Sequence, residues 1–169
     1  MIRSAVPKDA KAICAIYNYY IKNTTISFEE QPVGISEMED RIRETASQYP
    51  WLVCEKDGDI QGYAYLSKYK ARSAYRYSAE ISIYIKNGEE GKGLGTLLMA
   101  RLIEEARKAG IHSIISGITM PNERSEALHE KFGFKKTAHF NEVGFKFNCW
   151  LDVDYWELIL RNKPAPAEQ

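Results

Sequence analysis

The stretch with the most specific chemistry is Glu89-Glu90-Gly91-Lys92-Gly93-Leu94-Gly95-Thr96, which runs straight into an amphipathic segment. Glycines adopt positive φ and let backbone N–H groups come close to an anion. A helix starting at this point adds its unsatisfied N–H groups and its dipole. Residues Gly91, Lys92, Gly93, Leu94, Gly95 and Thr96 thus form a candidate pyrophosphate cradle, with the Lys92 ammonium as extra charge. A tight solvated strand-to-helix turn would use the same residues, so that reading stays open. Two other phosphate loops are excluded by spacing. The pattern G-x-x-x-x-G-K-[ST] is absent. The dinucleotide fingerprint G-x-G-x-x-G fails as well, because its third glycine falls on Thr96 counted from Gly91 and on Leu98 counted from Gly93.

The elements around the loop must hold it in place. Residues 77–86 read as a strand, with Ala79, Ile81, Ile83 and Ile85 on one face and Glu80, Ser82 and Tyr84 on the other. After the loop, Leu94, Leu97, Leu98, Leu102, Ala106 and Ala109 recur at helical spacing, and Gly110 suits the C-terminal cap. Upstream, residues 2–6 suit a short strand, and Pro7 and Asp9 suit the first turn of a helix with Ile13, Ile16, Tyr17, Tyr20 and Ile21 inward. Residues 23–32 read as a loop. Ser36 with Glu39 has the spacing of a capping box for a second helix burying Met38, Ile42 and Ala46. Residues 51–56 and 60–68 flank Asp57-Gly58 as a hairpin. Residues 111–119 suit a strand, 122–132 a short helix and 135–160 a strand pair turning near Asn148. The order β-α-α-β-β-β-α-β-α-β-β predicts a mixed α/β fold and disfavours a doubly wound sheet, where strand and helix alternate throughout.

Composition narrows the function class. The chain has 169 residues, enough for one domain, here residues 1–161, followed by a tail, 162–169, with the composition of a disordered end. Lys plus Arg and Asp plus Glu both total 23, so the basic excess usual in nucleic-acid binders is missing. No stretch has the roughly 18 apolar residues of a membrane span, and the N-terminus lacks a signal-peptide core. Cys14, Cys54 and Cys149 form no C-x-x-C pair and are expected as buried, reduced thiols of a cytoplasmic protein. No metal-ligand cluster is evident. His112 and His139 lie in strand-like segments without a motif and read as structural.

A strand, a Gly-x-Gly-x-Gly loop and a long amphipathic helix together resemble the pyrophosphate site of the GNAT acetyltransferases. The segment from Asn122 to Phe134, N-E-R-S-E-A-L-H-E-K-F-G-F, is similar to that superfamily's second motif, N-x-x-A-x-x-x-Y/H-x-x-x-G-F. Narrower matches resemble phosphinothricin N-acetyltransferases and the related methionine sulfoximine and methionine sulfone enzymes. They are Pro50-Trp51-Leu52-Val53, Gly62-Tyr63-Ala64-Tyr65, Lys70-Ala71-Arg72-Ser73-Ala74-Tyr75, Ala79-Glu80, Gly144-Phe145-Lys146 and Trp150-Leu151-Asp152-Val153. The similarity covers residues 2–160. One departure is Glu90, where the superfamily usually carries Gln or Arg, so a phosphate donor is lost and a like charge gained.

The resemblance implies a GNAT fold: a central mixed, mostly antiparallel sheet flanked by helices. It implies acetyl-CoA as co-substrate, no metal, a homodimer and a small amino-acid-like acceptor. Acetyl transfer to an amine needs a neutral amine, a polarised carbonyl and a protonated leaving thiolate. Glu80 matches the acid proposed as base in the resembling family, with an ordinary ion-paired strand carboxylate as the other reading. His129 takes the place of the Tyr that protonates the CoA sulfur in many members; it could give that proton, help take one from the amine, or only shape the pocket. A strand N–H within residues 82–85 would polarise the carbonyl, and Ile83, Tyr84 and Ile85 would bond the pantetheine amides. Asn122 would bond the pantetheine or phosphate region. Lys70, Arg72 and Tyr75 match the acceptor-facing segment, with Phe28 as a wall; a solvated charge run is the plainer reading of Lys70 and Arg72. Two alternatives remain: an acetyltransferase for a protein N-terminus or polyamine, and a non-catalytic acetyl-CoA-binding module.

Overall fold

The computed structural model describes residues 1–161; the tail proposed for 162–169 lies outside the described residues. The chain runs β1 (Ile2–Ser4), α1 (Ala10–Asn23), α2 (Ile35–Ala46), β2 (Trp51–Lys56), β3 (Asp59–Lys68), β4 (Ser78–Ile85), α3 (Leu94–Lys108), β5 (Ser113–Thr119), α4 (Glu123–Lys131), β6 (Lys135–Lys146) and β7 (Cys149–Ile159). This is the element order read from the sequence, with short 3-10 turns added at Pro7–Asp9 and Ser73–Tyr75.

One seven-stranded sheet has the order β1-β2-β3-β4-β5-β7-β6. Its strand pairs are antiparallel except β4 with β5. Two tight hairpins fix register. Asp57 and Gly58 both take positive φ between β2 and β3, and Phe147 and Asn148 do the same between β6 and β7. That turn geometry matches the strand twist.

Alternation along β4 sorts the core. Ala79 and Ile81 face α3, packing with Leu98, Met99, Leu102 and Ala106; Tyr84 faces α1 and α2, against Tyr17, Tyr20 and Tyr63. Truncating a fully buried residue such as Leu102 to Ala would cost about 2–5 kcal/mol. The helix α3 ends in a Schellman motif, Ile111 N–H donating to Ala106 O and Gly110 N–H to Arg107 O, with Gly110 at φ 75°.

Several local readings need correction. Leu97 and Ala109 are exposed, and Met99 is buried in their place. Ala46 is exposed too. Ser36 is not the cap of α2: Gly34 is, and Met38 N–H donates to Gly34 O. The entry is set by Asn18, whose side chain binds both the N–H and the carbonyl of Val33, so the helix starts before Ser36. Asp9 does more than charge a helix end. It is buried, accepts from Val6 N–H and forms a two-pronged ion pair with Arg3. Cys14 and Cys54 are buried free thiols, but Cys149 is exposed because it opens β7 at a hairpin tip.

Candidate active site

The parallel β4–β5 pairing is short. It joins Ser78 to Ser113, Ala79 to Ile114 and Glu80 to Ile115, and then ends. From there the strands diverge, because β4 stays paired with β3 to Ile85 while β5 stays paired with β7 to Thr119. Backbone groups along residues 81–85 therefore face a gap and not a neighbouring strand. A cleft of about 710 Å³ fills this fork. Its walls are residues 81–85 of β4, residues 116–119 of β5, the glycine loop with the start of α3, parts of α4, and Tyr19, Tyr20, Thr24 and Ile26.

The loop is built as its glycines require. Gly91 and Gly93 have φ of 77° and 83°, and a Cβ at either would meet nothing within 4 Å. Gly93 is the N-cap of α3 and lines the cleft with Gly91, Gly95 and Thr96. The unpaired N–H groups of the first helical turn thus open onto the same space. This open, amide-lined cradle fits a diphosphate. Lys92 points elsewhere: it pairs with Glu89 at 2.9 Å and is not part of the wall, and Leu94 packs into the core. The Glu90 carboxylate folds back to accept from Gly88 N–H at 2.7 Å, so the residue that departs from the superfamily pattern braces its own loop.

Across the cleft, Asn122 caps α4, its Oδ1 accepting from Ser125 N–H at 3.2 Å. His129 is buried one turn along, edge-on to Phe134. Its Nδ1 lies 2.7 Å from Ser125 O. A carbonyl only accepts, so Nδ1 carries the proton and Nε2 of the neutral ring keeps its lone pair. That Nε2 is buried and lacks a hydrogen-bond partner among the described residues. Burial pushes the imidazole below its ordinary pKa, outweighing the bond to Ser125.

Glu80 sits at the last paired position, at the base of the fork, on the sheet face opposite His129. Burial raises its pKa above the ordinary carboxylate range. Ile83, Tyr84 and Ile85 lie along the open edge, where Tyr20 OH donates to Ile85 O at 2.6 Å. Burial pushes Tyr20 up to about 12, so its hydroxyl stays protonated.

The acceptor candidates are more scattered. Lys70 lies over the rings of Tyr69 and Tyr75, at 5.1 and 5.4 Å. Lys70, Arg72 and Tyr75 are exposed on the β3–β4 connection and are not part of the cleft wall; neither is Phe28, which packs on Gly144. Tyr155 of β7 links the two regions. It lies on the Glu80 face over Gly117, and burial and the charge of Glu80 raise its pKa while Lys70 lowers it. Sequence reading missed Tyr155, and the cleft-lining Tyr19 and Arg124. Alternation in β7 puts Tyr155 opposite Trp156, but only the strand order brings β7 beside the fork.

Among the described residues no group of three or more His, Cys, Asp or Glu is arranged to hold a metal ion, and no helix is long and apolar enough to cross a membrane.

A family model described as an acetyltransferase (GNAT) domain matches residues 2–154. The chain is 34% identical to a phosphinothricin N-acetyltransferase of Streptomyces viridochromogenes, over 98% of this chain and 90% of the relative. It is 36% identical to an L-methionine sulfoximine/L-methionine sulfone acetyltransferase of Salmonella typhimurium, over 98% and 97%. The solved yncA structure from Salmonella typhimurium, which contains its cofactor acetyl-CoA, superposes with a TM-score of 0.95 at 36% identity, covering 98% of this chain and 96% of that one. The forked sheet and its glycine cradle are therefore those of an N-acetyltransferase, and the chain belongs to the GNAT family.

Proposed function

We propose that the protein transfers the acetyl group of acetyl-CoA directly to the α-amino group of a small amino-acid-like acceptor. The observation that carries this reading is the fork, which opens an anion cradle at the start of α3 beside the strand whose half-buried Glu80, just outside the cleft wall, sits at its base. Gly91, Gly93, Gly95 and Thr96 would hold the pyrophosphate, and the open edge at Ile83, Tyr84 and Ile85 would bond the pantetheine amides, with Asn122 opposite. Acetyl-CoA supplies the activated acyl group as co-substrate.

The chain's residues then have separate tasks. Glu80, in its ionised form, takes a proton from the acceptor's ammonium, directly or through water. The freed amine forms the N–C bond as the C–S bond breaks, and the leaving thiolate takes up a proton. An N–H of residues 82–85 donates to the acetyl oxygen as charge develops there. His129 is neutral, with Nε2 free to accept. It is suited to receive a hydrogen bond in the cleft, and less to act as the acid. Lys70, Arg72 and Tyr75 would receive the acceptor's carboxylate and polar side chain, with Phe28 as a wall. Among the described residues the cleft wall has no cysteine, which favours transfer in a ternary complex.

We place the enzyme in the cytoplasm, where its three thiols would stay reduced. We also propose a homodimer. The edge strand β6 and the hairpin after it expose Phe140, Phe145, Phe147 and Trp150, each about half exposed or more. Such a cluster on a sheet edge suits a second copy of the chain.

The test is thiol release from acetyl-CoA with phosphinothricin, methionine sulfoximine, methionine sulfone, spermidine and a short peptide. Turnover with the first three only, and intersecting initial-rate lines, support the proposal. Turnover only with spermidine or the peptide, or parallel lines, would overturn it.

A further inference from the structure

The loop between α1 and α2 contributes Thr24 and Ile26 to the cleft wall. It has no secondary structure of its own over residues 24–34, so something else must hold it. On its inner side, Ser27 Oγ donates to Tyr17 OH at 3.0 Å, and that hydroxyl donates to Glu29. On its outer side the support comes from β6, more than a hundred residues away in the chain.

Lys146 ends β6 and is almost fully buried, at 2% exposure. Its ammonium donates to Thr24 O at 2.8 Å and to Ser27 O at 2.6 Å. Burying an ammonium is costly unless its protons are well bonded. Here the compensation comes from two main-chain carbonyls of the loop and from the ring of Phe147, 5.0 Å away. Two residues earlier on the same strand, Gly144 leaves room for the ring of Phe28. A Cβ at Gly144 would lie 2.4 Å from that ring. The strand end thus grips the loop twice, by charge at Lys146 and by shape at Gly144.

We propose that Lys146 is a positioning residue that fixes residues 24–28, a loop that reaches the cleft at Thr24 and Ile26, as a preformed support for the acceptor. It touches neither the glycine cradle nor Glu80. It acts through the loop, whose Thr24 and Ile26 share the cleft with the glycine cradle but lie outside that cradle, so its loss loosens the acceptor's seat far more than the cofactor's. The proposal rests on the acceptor reading above. The outward face of the same strand end carries Phe145, part of the surface proposed for the second subunit, so wall and subunit contact share one strand.

The experiment compares the wild type with Lys146→Met, which keeps the stem and removes the donors, and with Gly144→Ala, which displaces Phe28 while Lys146 remains. Hydrogen exchange is followed at the amides of Ile26 and Glu29, which are bonded to Thr24 Oγ1 and Ser27 Oγ. Kinetics are measured with whichever acceptor the wild type uses. In both variants exchange at these amides should speed up. Acceptor kcat/KM should fall roughly 100-fold, as small misplacements of a reactant do, with acetyl-CoA affinity within about twofold of wild type. Unchanged exchange in a folded Lys146→Met protein overturns the clamp. Faster exchange with unchanged acceptor kinetics, or an equal loss of acetyl-CoA affinity, overturns the positioning role. Should Lys146→Met not fold, Gly144→Ala decides by the same criteria. Should the wild type turn over none of the acceptors, the functional reading fails while the exchange measurement still decides the clamp.

Discussion

Replacing Gly93 tests the cradle more cleanly than removing any side chain. Gly93 sits at φ 83° and ψ −1° as the N-cap of α3, and the space a Cβ would enter is open. Steric conflict with neighbours therefore contributes nothing, and only the left-handed backbone matters. That conformation costs a non-glycine residue about 1–2 kcal/mol. If the cost falls on the binding-ready form of the loop, Gly93→Ala should weaken acetyl-CoA by roughly 5- to 30-fold, since about 1.4 kcal/mol is tenfold. Asn tolerates this region better than Ala, so Gly93→Asn should lose less. Gly34→Ala is the control, because Gly34 has open space and no positive φ. Titration calorimetry measures each affinity, and circular dichroism confirms that α3 remains. An order other than Gly, then Asn, then Ala would refute the reasoning, as would a Gly93→Ala protein that binds acetyl-CoA like the wild type.

Three further predictions come from single sites. His129 is held neutral by burial, so an unfolded chain takes up a proton there before the folded one does as pH drops below 6.5. Stability should fall through that window, and His129→Phe should flatten the fall in denaturant titrations run from pH 7 to 5. Asp9→Ala removes a buried carboxylate that bonds Val6 N–H and pairs with Arg3, so chemical denaturation should show a loss of about 2–4 kcal/mol. Tyr155→Phe keeps the ring over Gly117 but removes the hydroxyl on the Glu80 face of the sheet. Acceptor KM should rise several-fold with acetyl-CoA affinity unchanged, read from initial rates.

The glycine loop and the two sides of β4 were legible in the sequence because both are local. Positive φ, helix start and period-two alternation each depend on a few adjacent residues. The same holds for the hairpins at Asp57-Gly58 and near Asn148 and for the Gly110 cap. The local misreadings share a cause, since tertiary contacts overrode a valid motif. Asn18 set the start of α2 ahead of Ser36, and the face α3 turns to the sheet replaced Leu97 by Met99. The fork was not legible in the sequence, because it depends on where the β4–β5 pairing stops. Tyr155 and Lys146 were invisible as site residues for the same reason. The first acts across a strand order that places β7 beside β5, and the second across a separation of more than a hundred residues.

The central claim is that Glu80, at the base of the fork, removes the acceptor's proton. The most direct measurement is kcat for thiol release, with both substrates saturating, in wild type and Glu80→Gln across pH 5 to 9. Glu80 must be ionised to act, so wild-type activity should fall as pH drops through its raised pKa. The account predicts a loss in Glu80→Gln of about 10²–10⁴-fold at neutral pH, disappearance of that acidic limb and unchanged acetyl-CoA affinity. A Glu80→Gln enzyme that keeps wild-type kcat and the same pH profile would contradict it.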